Sequence, residues 1–206
     1  MKKKSLLLVL ALVLVVSTVV GTTLAWLTAT SGDVTNTFTV GDIEIELKEH
    51  ELKNGVLDTS SKVDKNTYTI VPGGSQDKDP FVTVKSGSEK CYVYVKVENN
   101  MVIGTDTVVT TNINTTDWVA VETSGNATLY RYKEVVDATS ADVTKTVFTK
   151  VNYDGEKITS DNIDSLKNLT IKLTAYAHQS ENTTQTVADT AAKAWAFPAP
   201  VTEPET

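Results

Sequence analysis

The chain has 206 residues and a formal net charge of −7, from 26 Asp and Glu against 19 Lys and Arg. That length suits a single domain with a real core. With Arg131 as the one arginine, the acidity speaks against nucleic acid as a partner, because phosphate binding needs clustered Lys and Arg. Cys91 is the sole cysteine, which excludes an intrachain disulfide.

Lys2, Lys3 and Lys4 precede an apolar run from Leu6 to Val20, interrupted only by Ser17 and Thr18. Gly21, Thr22 and Thr23 break the run, and Thr23 and Ala25 supply the small residues that a cleavage between Ala25 and Trp26 requires. This is the three-part plan of a secretory signal. At about 15 residues, roughly 22 Å as a helix, the run falls short of the roughly 30 Å hydrocarbon core. The alternative is an uncleaved anchor reaching Leu27. The domain plan expected is a signal helix at 1–25, a leader at 26–40, a folded domain at 41–197, and a disordered tail at 198–206 carrying Pro198, Pro200 and Pro204. Cleavage would take the net charge from −7 down to −10, since residues 1–25 hold three lysines and no acid. The tail has no sorting motif, so covalent attachment to a wall by a sortase is not expected.

From Thr35 to Leu47 apolar and polar residues alternate. Phe38 and Val40 are followed, after a phase shift at Gly41-Asp42, by Ile43, Ile45 and Leu47 against Glu44, Glu46 and Lys48, which predicts two short strands or one bulged strand. Glu49 to Asn66 reads as a loop or a short irregular hairpin. Thr67 to Val71 reads as a strand stopped by Pro72-Gly73-Gly74, and Asp79 to Lys85 as a strand ended by Ser86-Gly87-Ser88. Lys90 to Asn99 is the clearest strand, with Cys91, Val93, Val95 and Val97 on one face and Tyr92, Tyr94, Lys96 and Glu98 on the other. Asn100 to Asn114 is ambiguous. Asp117 to Glu122 and Ala127 to Val136 read as a hairpin around Ser124-Gly125-Asn126, and Thr144 to Val151 as one strand. Thr159 to Lys167 has helical spacing, with Thr159 or Ser160 as N-cap. Leu169 to Gln179 is a strand with Ile171, Leu173, Ala175 and Ala177 inward. Thr186 to Trp195 is a short helix with Val187, Ala191 and Trp195 on one face. The fold class expected is mainly β: an antiparallel β-sandwich with one or two short helices.

The stretch Gly21-Thr22-Thr23-Leu24-Ala25-Trp26-Leu27-Thr28, followed by Asn36-Thr37-Phe38-Thr39-Val40-Gly41-Asp42-Ile43, resembles the start of exported proteins processed by the SipW-type signal peptidase, the group of the TasA and camelysin (CalY) biofilm matrix proteins of Gram-positive bacteria. Val82 to Ser88 with Cys91 to Glu98, and Thr174 to Gln179 followed by Ala194-Trp195, resemble a clostridial branch of the same group. The resemblance implies a jelly roll, an extracellular or cell-surface location, a signal peptidase as partner during export, and self-association or related matrix subunits afterwards. Membrane contact is expected only through the uncleaved signal.

A search for chemistry finds no catalytic constellation. His50 and His178 are the only histidines, so a three-His zinc site is excluded. His50-Glu51-Leu52-Lys53-Asn54 starts like a zinc-protease helix, but Asn54 stands where the second His is needed. Camelysin-like proteins have been labelled metalloproteases, which keeps that reading as a minor alternative. Cys91 reads as a buried thiol, and Asp77-Lys78-Asp79 with Asp33 as solvated acids rather than Ca²⁺ ligands. Tyr92 and Tyr94 form either a sugar- or partner-binding strip or a sheet face covered by a loop or helix. No catalytic residue, cofactor or metal is expected. The function expected is structural: a secreted surface or matrix protein whose segment Trp26 to Val40, freed by cleavage, pairs with a neighbour's sheet edge, with Trp26, Leu27, Phe38 and Val40 as the candidate exchange residues. The alternative is a monomeric adhesin whose loops around 100–126 or 152–168 bind a ligand.

Overall fold

A computed structural model of the chain describes residues 42–199, so the predicted signal, the cleavage position at Ala25 and Trp26, and the exchange residues Leu27, Phe38 and Val40 lie outside the described residues. Thirteen strands run in chain order: β1 Ile45–Lys53, β2 Val56–Val63, β3 Ser75–Asp77, β4 Phe81–Val84, β5 Cys91–Asn99, β6 Val102–Ile103, β7 Asp106–Thr107, β8 Val109–Thr111, β9 Trp118–Ser124, β10 Ala127–Tyr132, β11 Val143–Thr146, β12 Lys150–Tyr153 and β13 Ile171–Gln179. A 3₁₀ turn at Ile163–Leu166 precedes β13, and the one α-helix among the described residues, α1 Gln185–Ala196, follows it. The fold is mainly β. Its two four-stranded sheets have the orders β11-β4-β1-β2 and β13-β5-β10-β9, a smaller sheet has the order β3-β12-β8, and β6-β7 is a separate hairpin. Every strand pairing is antiparallel.

One apolar cluster is shared by both large sheets. Val82 and Val84 of β4 meet Cys91, Val93, Val95 and Val97 of β5, with Trp118, Phe148 and Leu166 completing it. The period-2 pattern of β5 places these residues as predicted. The opposite face of β5 is covered by α1, where Ala188, Ala192 and Ala196 lie on Tyr94 and Leu129. Thr184 caps that helix, its side chain accepting from the Val187 N–H at 3.3 Å.

One open alternative is resolved and four expectations need correction. Of the two readings of Glu49 to Asn66 the hairpin is observed, irregular where the register shifts between His50 and Glu51, with β1 and β2 joined by Asn54-Gly55, both at positive φ (53° and 82°), as a two-residue type I′ connection demands. Thr67 to Val71 forms no strand and pairs in no sheet. Thr144 to Val151 is two strands in different sheets, because Val147 and Phe148 are consecutive and both buried, which a pleated strand with one solvent face does not allow. The helical stretch around Ile163 is a single 3₁₀ turn whose cap position is Asn162, without a side-chain cap bond. In α1 the buried stripe is Ala188, Ala192 and Ala196, while Val187 is 54 % and Trp195 36 % exposed. Small side chains let the helix sit close to the sheet, and the bulkier residues turn to its flanks, where Trp195 stacks on Tyr176 at 5.2 Å.

Gly155 closes the loop after β12 against the Pro72-Gly73 turn. A Cβ there would stand 2.8 Å from the Gly73 Cα, so no larger residue fits without a backbone shift. This crossing, with the Gly73 N–H donating to the Tyr153 carbonyl, fixes Tyr153 on the wall of the groove described next.

Candidate functional site

Two strand edges are left open on the same side of the molecule. In the β1–β4 ladder the Lys85 N–H donates to the Glu44 carbonyl, and the register pairs Ile45 with Val84. Antiparallel ladders alternate, so Glu46 and Lys48 bond toward β4, and Ile45 and Leu47 direct their N–H and C=O groups to the other edge. β2 occupies that other edge only from Glu49 onward. In the β13–β5 ladder the Asn100 N–H donates to the Thr170 carbonyl and the Ser180 N–H to the Lys90 carbonyl, and the register runs unbroken from Ile171–Asn99 to Gln179–Cys91. Ile171, Leu173, Ala175, Ala177 and Gln179 therefore point their backbone groups outward. Among the described residues no strand pairs with that edge of β13.

Between the two edges lies a groove of about 1100 Å³. Leu47 and Lys48 line one side and Ile171 and Leu173 the other, over an apolar floor that includes Met101, Ile163 and Leu166. Where β1 leaves this edge, Glu49 and Lys78 form a buried ion pair, 5 % and 8 % exposed. The Tyr68 hydroxyl donates to the same Glu49 Oε2 at 3.1 Å, and the Lys78 ammonium lies 5.0 Å from the centre of the Tyr68 ring. Burial first, and then the Glu49 charge, push the Tyr68 phenol well above its ordinary range, so it stays protonated and acts as a donor. On the rim, Lys48 Nζ donates to Asp64 at 2.7 Å, which raises the lysine's pKa. Lys65 and Lys172, also on the rim, have no carboxylate within ion-pair distance among the described residues.

The predicted chemistry-bearing residues fall elsewhere. His50 sits on β1 with its Nδ1 2.6 Å from Asp79 Oδ2, while its own N–H donates to Asp79 Oδ1 at 3.1 Å and its ring lies against Phe81. Lys78 and Asp79 are thus structural partners of β1, not part of the solvated acidic loop expected. His178 is on β13, its Nδ1 bonded to the Gln179 carbonyl oxygen. Tyr94 is fully buried beneath α1, its hydroxyl donating at 2.8 Å to Asp189, which also takes Arg131 Nη1 at 2.7 and 2.8 Å. Of the two readings of the tyrosine strip, the covered face is the one observed for Tyr94. Among the described residues no group of three His, Cys, Asp or Glu is placed to hold a metal, and no helix is long and apolar enough to cross a membrane.

Cys91 is fully buried, and burial pushes its thiol up to about 11. Two effects act together, exclusion of reagent and roughly 100-fold less thiolate at neutral pH. Native protein is therefore expected to leave an aromatic disulfide reagent unreduced over the time in which guanidinium-unfolded protein reacts fully. Fast reaction of the native thiol would show that the β5 face is open.

The groove was not legible as a site in the sequence. The signal that existed was the length of the apolar-alternating edge from Ile171, with no partner strand predicted beside it. Comparison with protein-family models, curated proteins and solved structures finds no match to this chain.

Proposed function

We propose that this chain is a secreted structural protein of the bacterial cell surface or biofilm matrix, and that it assembles into fibres by lodging the N-terminal segment of one copy in the groove of the next. On this reading the two large sheets and their shared core form a jelly-roll-like β-sandwich. Cleavage between Ala25 and Trp26 frees the segment Trp26 to Val40, and the partners are further copies or related matrix subunits. The observation that carries the reading is the pair of open edges on β1 and β13 flanking one apolar groove. An added strand would satisfy the outward backbone groups of β13, which is the chemistry of β-augmentation. No enzymatic role is proposed. His50 is held by Asp79 and Phe81, and the camelysin-like protease reading has no set of ligands to support it among the described residues.

A monomeric adhesin is the second reading. The half-exposed Trp195 stacked on Tyr176, beside His178, is the feature that favours it. Sedimentation velocity separates the two. Protein beginning at Trp26 is expected to grow into long species as its concentration rises. Protein beginning at Gly41 is expected to give one monomeric boundary with an unchanged melting curve. Polymerisation of the shorter chain would remove the leader as the donor.

A further inference from the structure

We propose that the groove binds a free single-chain amphipathic anion of the fatty-acid class, its hydrocarbon tail on the apolar floor and its carboxylate at the rim beside Lys65 and Lys172. The site goes beyond the strand-exchange reading and does not depend on it.

Floor and rim differ in kind. Met101, Ile163 and Leu166 give the floor its apolar character. Among the lining residues the buried charges are Glu49 and Lys78, and they neutralise each other. The Tyr68 hydroxyl and the Lys78 ammonium, the donors at this inner end, are both turned to Glu49. An ionised head placed there would lose its water and gain no net counter-charge. A hydrocarbon tail there leaves water without that cost.

The rim carries an excess of positive charge. Lys48 is matched by Asp64 at 2.7 Å, and Lys167 by Asp164 at 2.8 Å. Lys65 and Lys172 are exposed and have no carboxylate within ion-pair distance among the described residues. Two unmatched lysines around one opening reverse the local sign in a chain whose net charge is −7. Such a patch draws an anion to the opening. Lysines are flexible point charges, suited to a compact head group that no rigid fork has to match.

Shape selects a chain molecule. The Cα atoms of β1 and β13 come within 8 Å of one another, and the lining includes Ile171, Lys172 and Leu173 but not Ala175 or Ala177. The space is therefore a pocket at the first residues of β13, not a trough along the whole strand. Its 1100 Å³ stands at the upper end of the range, about 300–1,000 Å³, of clefts that enclose small ligands. A sugar phosphate or nucleotide needs several donors along its length, and this floor has none to spare. A narrow tail with one charged end needs only what the pocket has.

Displacement of a fluorescent polyene fatty acid from dilute protein beginning at Trp26 measures the site, with octanoate, decanoate and decanol as competitors, each below the concentration at which it aggregates. Decanoate is expected to compete at one site per chain. It should bind up to about 15-fold more tightly than octanoate, since each buried CH₂ adds about fourfold. It should bind roughly tenfold more tightly than decanol, the contribution of two exposed charges. In the double variant Lys65→Gln with Lys172→Gln, decanoate is expected to fall to the level of decanol. Decanol itself should be unchanged, which also shows that the variant keeps its fold. Amide NMR shifts on adding decanoate should centre on Ile163 and on Ile171 to Leu173. Equal binding of decanoate and decanol by the parent would overturn the anionic head, and full decanoate affinity in the double variant would overturn the rim lysines as its partners. Shifts centred on Trp195 and Tyr176 would overturn the groove as the site. An absence of saturable competition would overturn the proposal as a whole and leave strand exchange, which sedimentation reads, untouched.

Discussion

A Lys78→Met variant is expected to lose about 3–5 kcal/mol of folding stability, the range for removing one member of a buried ion pair. Glu49 is almost wholly enclosed, and its carboxylate has two partners, the Lys78 ammonium and the Tyr68 hydroxyl. Methionine fills the lysine's volume but leaves the charge with a single neutral donor in a setting of low polarity, where solvation cannot replace what is lost. For a domain of this size a loss of that order lowers Tm by roughly 10 °C. The double variant Glu49→Gln with Lys78→Met removes the charge and keeps an acceptor for Tyr68. It is expected to recover most of the loss, since a neutral pair avoids the desolvation that the ion pair carried. Chemical denaturation of the two variants beside the parent checks this. A Lys78→Met protein as stable as the parent would mean that Glu49 reaches water, and that this end of the groove is not the dry floor its burial indicates. The variant also bears on assembly, because Glu49 is the residue at which β1 passes from an open edge to pairing with β2.

Much of the β content was legible because its cause is local. Cys91, Val93, Val95 and Val97 alternate with polar residues, and a strand buried on one face needs nothing more to be recognised. The Gly125-Asn126 connection likewise marks the β9–β10 hairpin, with Gly125 at a φ of 59°. Other elements depend on partners distant in sequence. Glu49 reads as a loop residue until Lys78, on a different segment, neutralises it. β2 has few apolar residues because it is an edge strand, and its one local signal is the Asn54-Gly55 turn, which stands among charges. The buried helix face, Ala188, Ala192 and Ala196, is hidden in the sequence because Val187 and Trp195 outweigh alanine in any hydrophobic count. What decides the orientation of α1 is close approach to Tyr94 and the Arg131–Asp189 pair, both set by the sheet beneath it. The groove was hidden for the same reason. It has no motif of its own, being the gap between a strand near the start of the folded part and one near its end, and only the topology brings those edges together.

An Ala175→Pro variant is expected to fold as the parent does and to abolish fibre growth. Proline lacks an N–H and holds φ near −65°, so it is tolerated in a sheet where that N–H bonds to nothing within the sheet. The ladder parity of β13 places Ala175 among the residues whose N–H points away from β5, at the unpaired edge of the sheet. In the folded monomer the substitution therefore removes no sheet hydrogen bond, and its cost is limited to the adjustment of φ. In the proposed fibre that N–H is free to donate to a strand added at the β13 edge, and the pyrrolidine ring removes that donor and projects from the edge. The neighbouring Thr174 provides the contrast. Its N–H faces β5 opposite Lys96, so Thr174→Pro breaks an internal ladder bond and is expected to cost about 3 kcal/mol or more of stability. Two adjacent prolines on one strand should thus separate cleanly: Thr174→Pro lowers the melting temperature, and Ala175→Pro leaves it nearly unchanged but holds the protein as a single monomeric boundary in sedimentation. The Ala175 variant keeps its own N-terminal segment intact, so mixed with parent it should still donate a strand and terminate fibres, shortening them in proportion to its share. Full-length fibres from Ala175→Pro alone would remove the β13 edge as the acceptor.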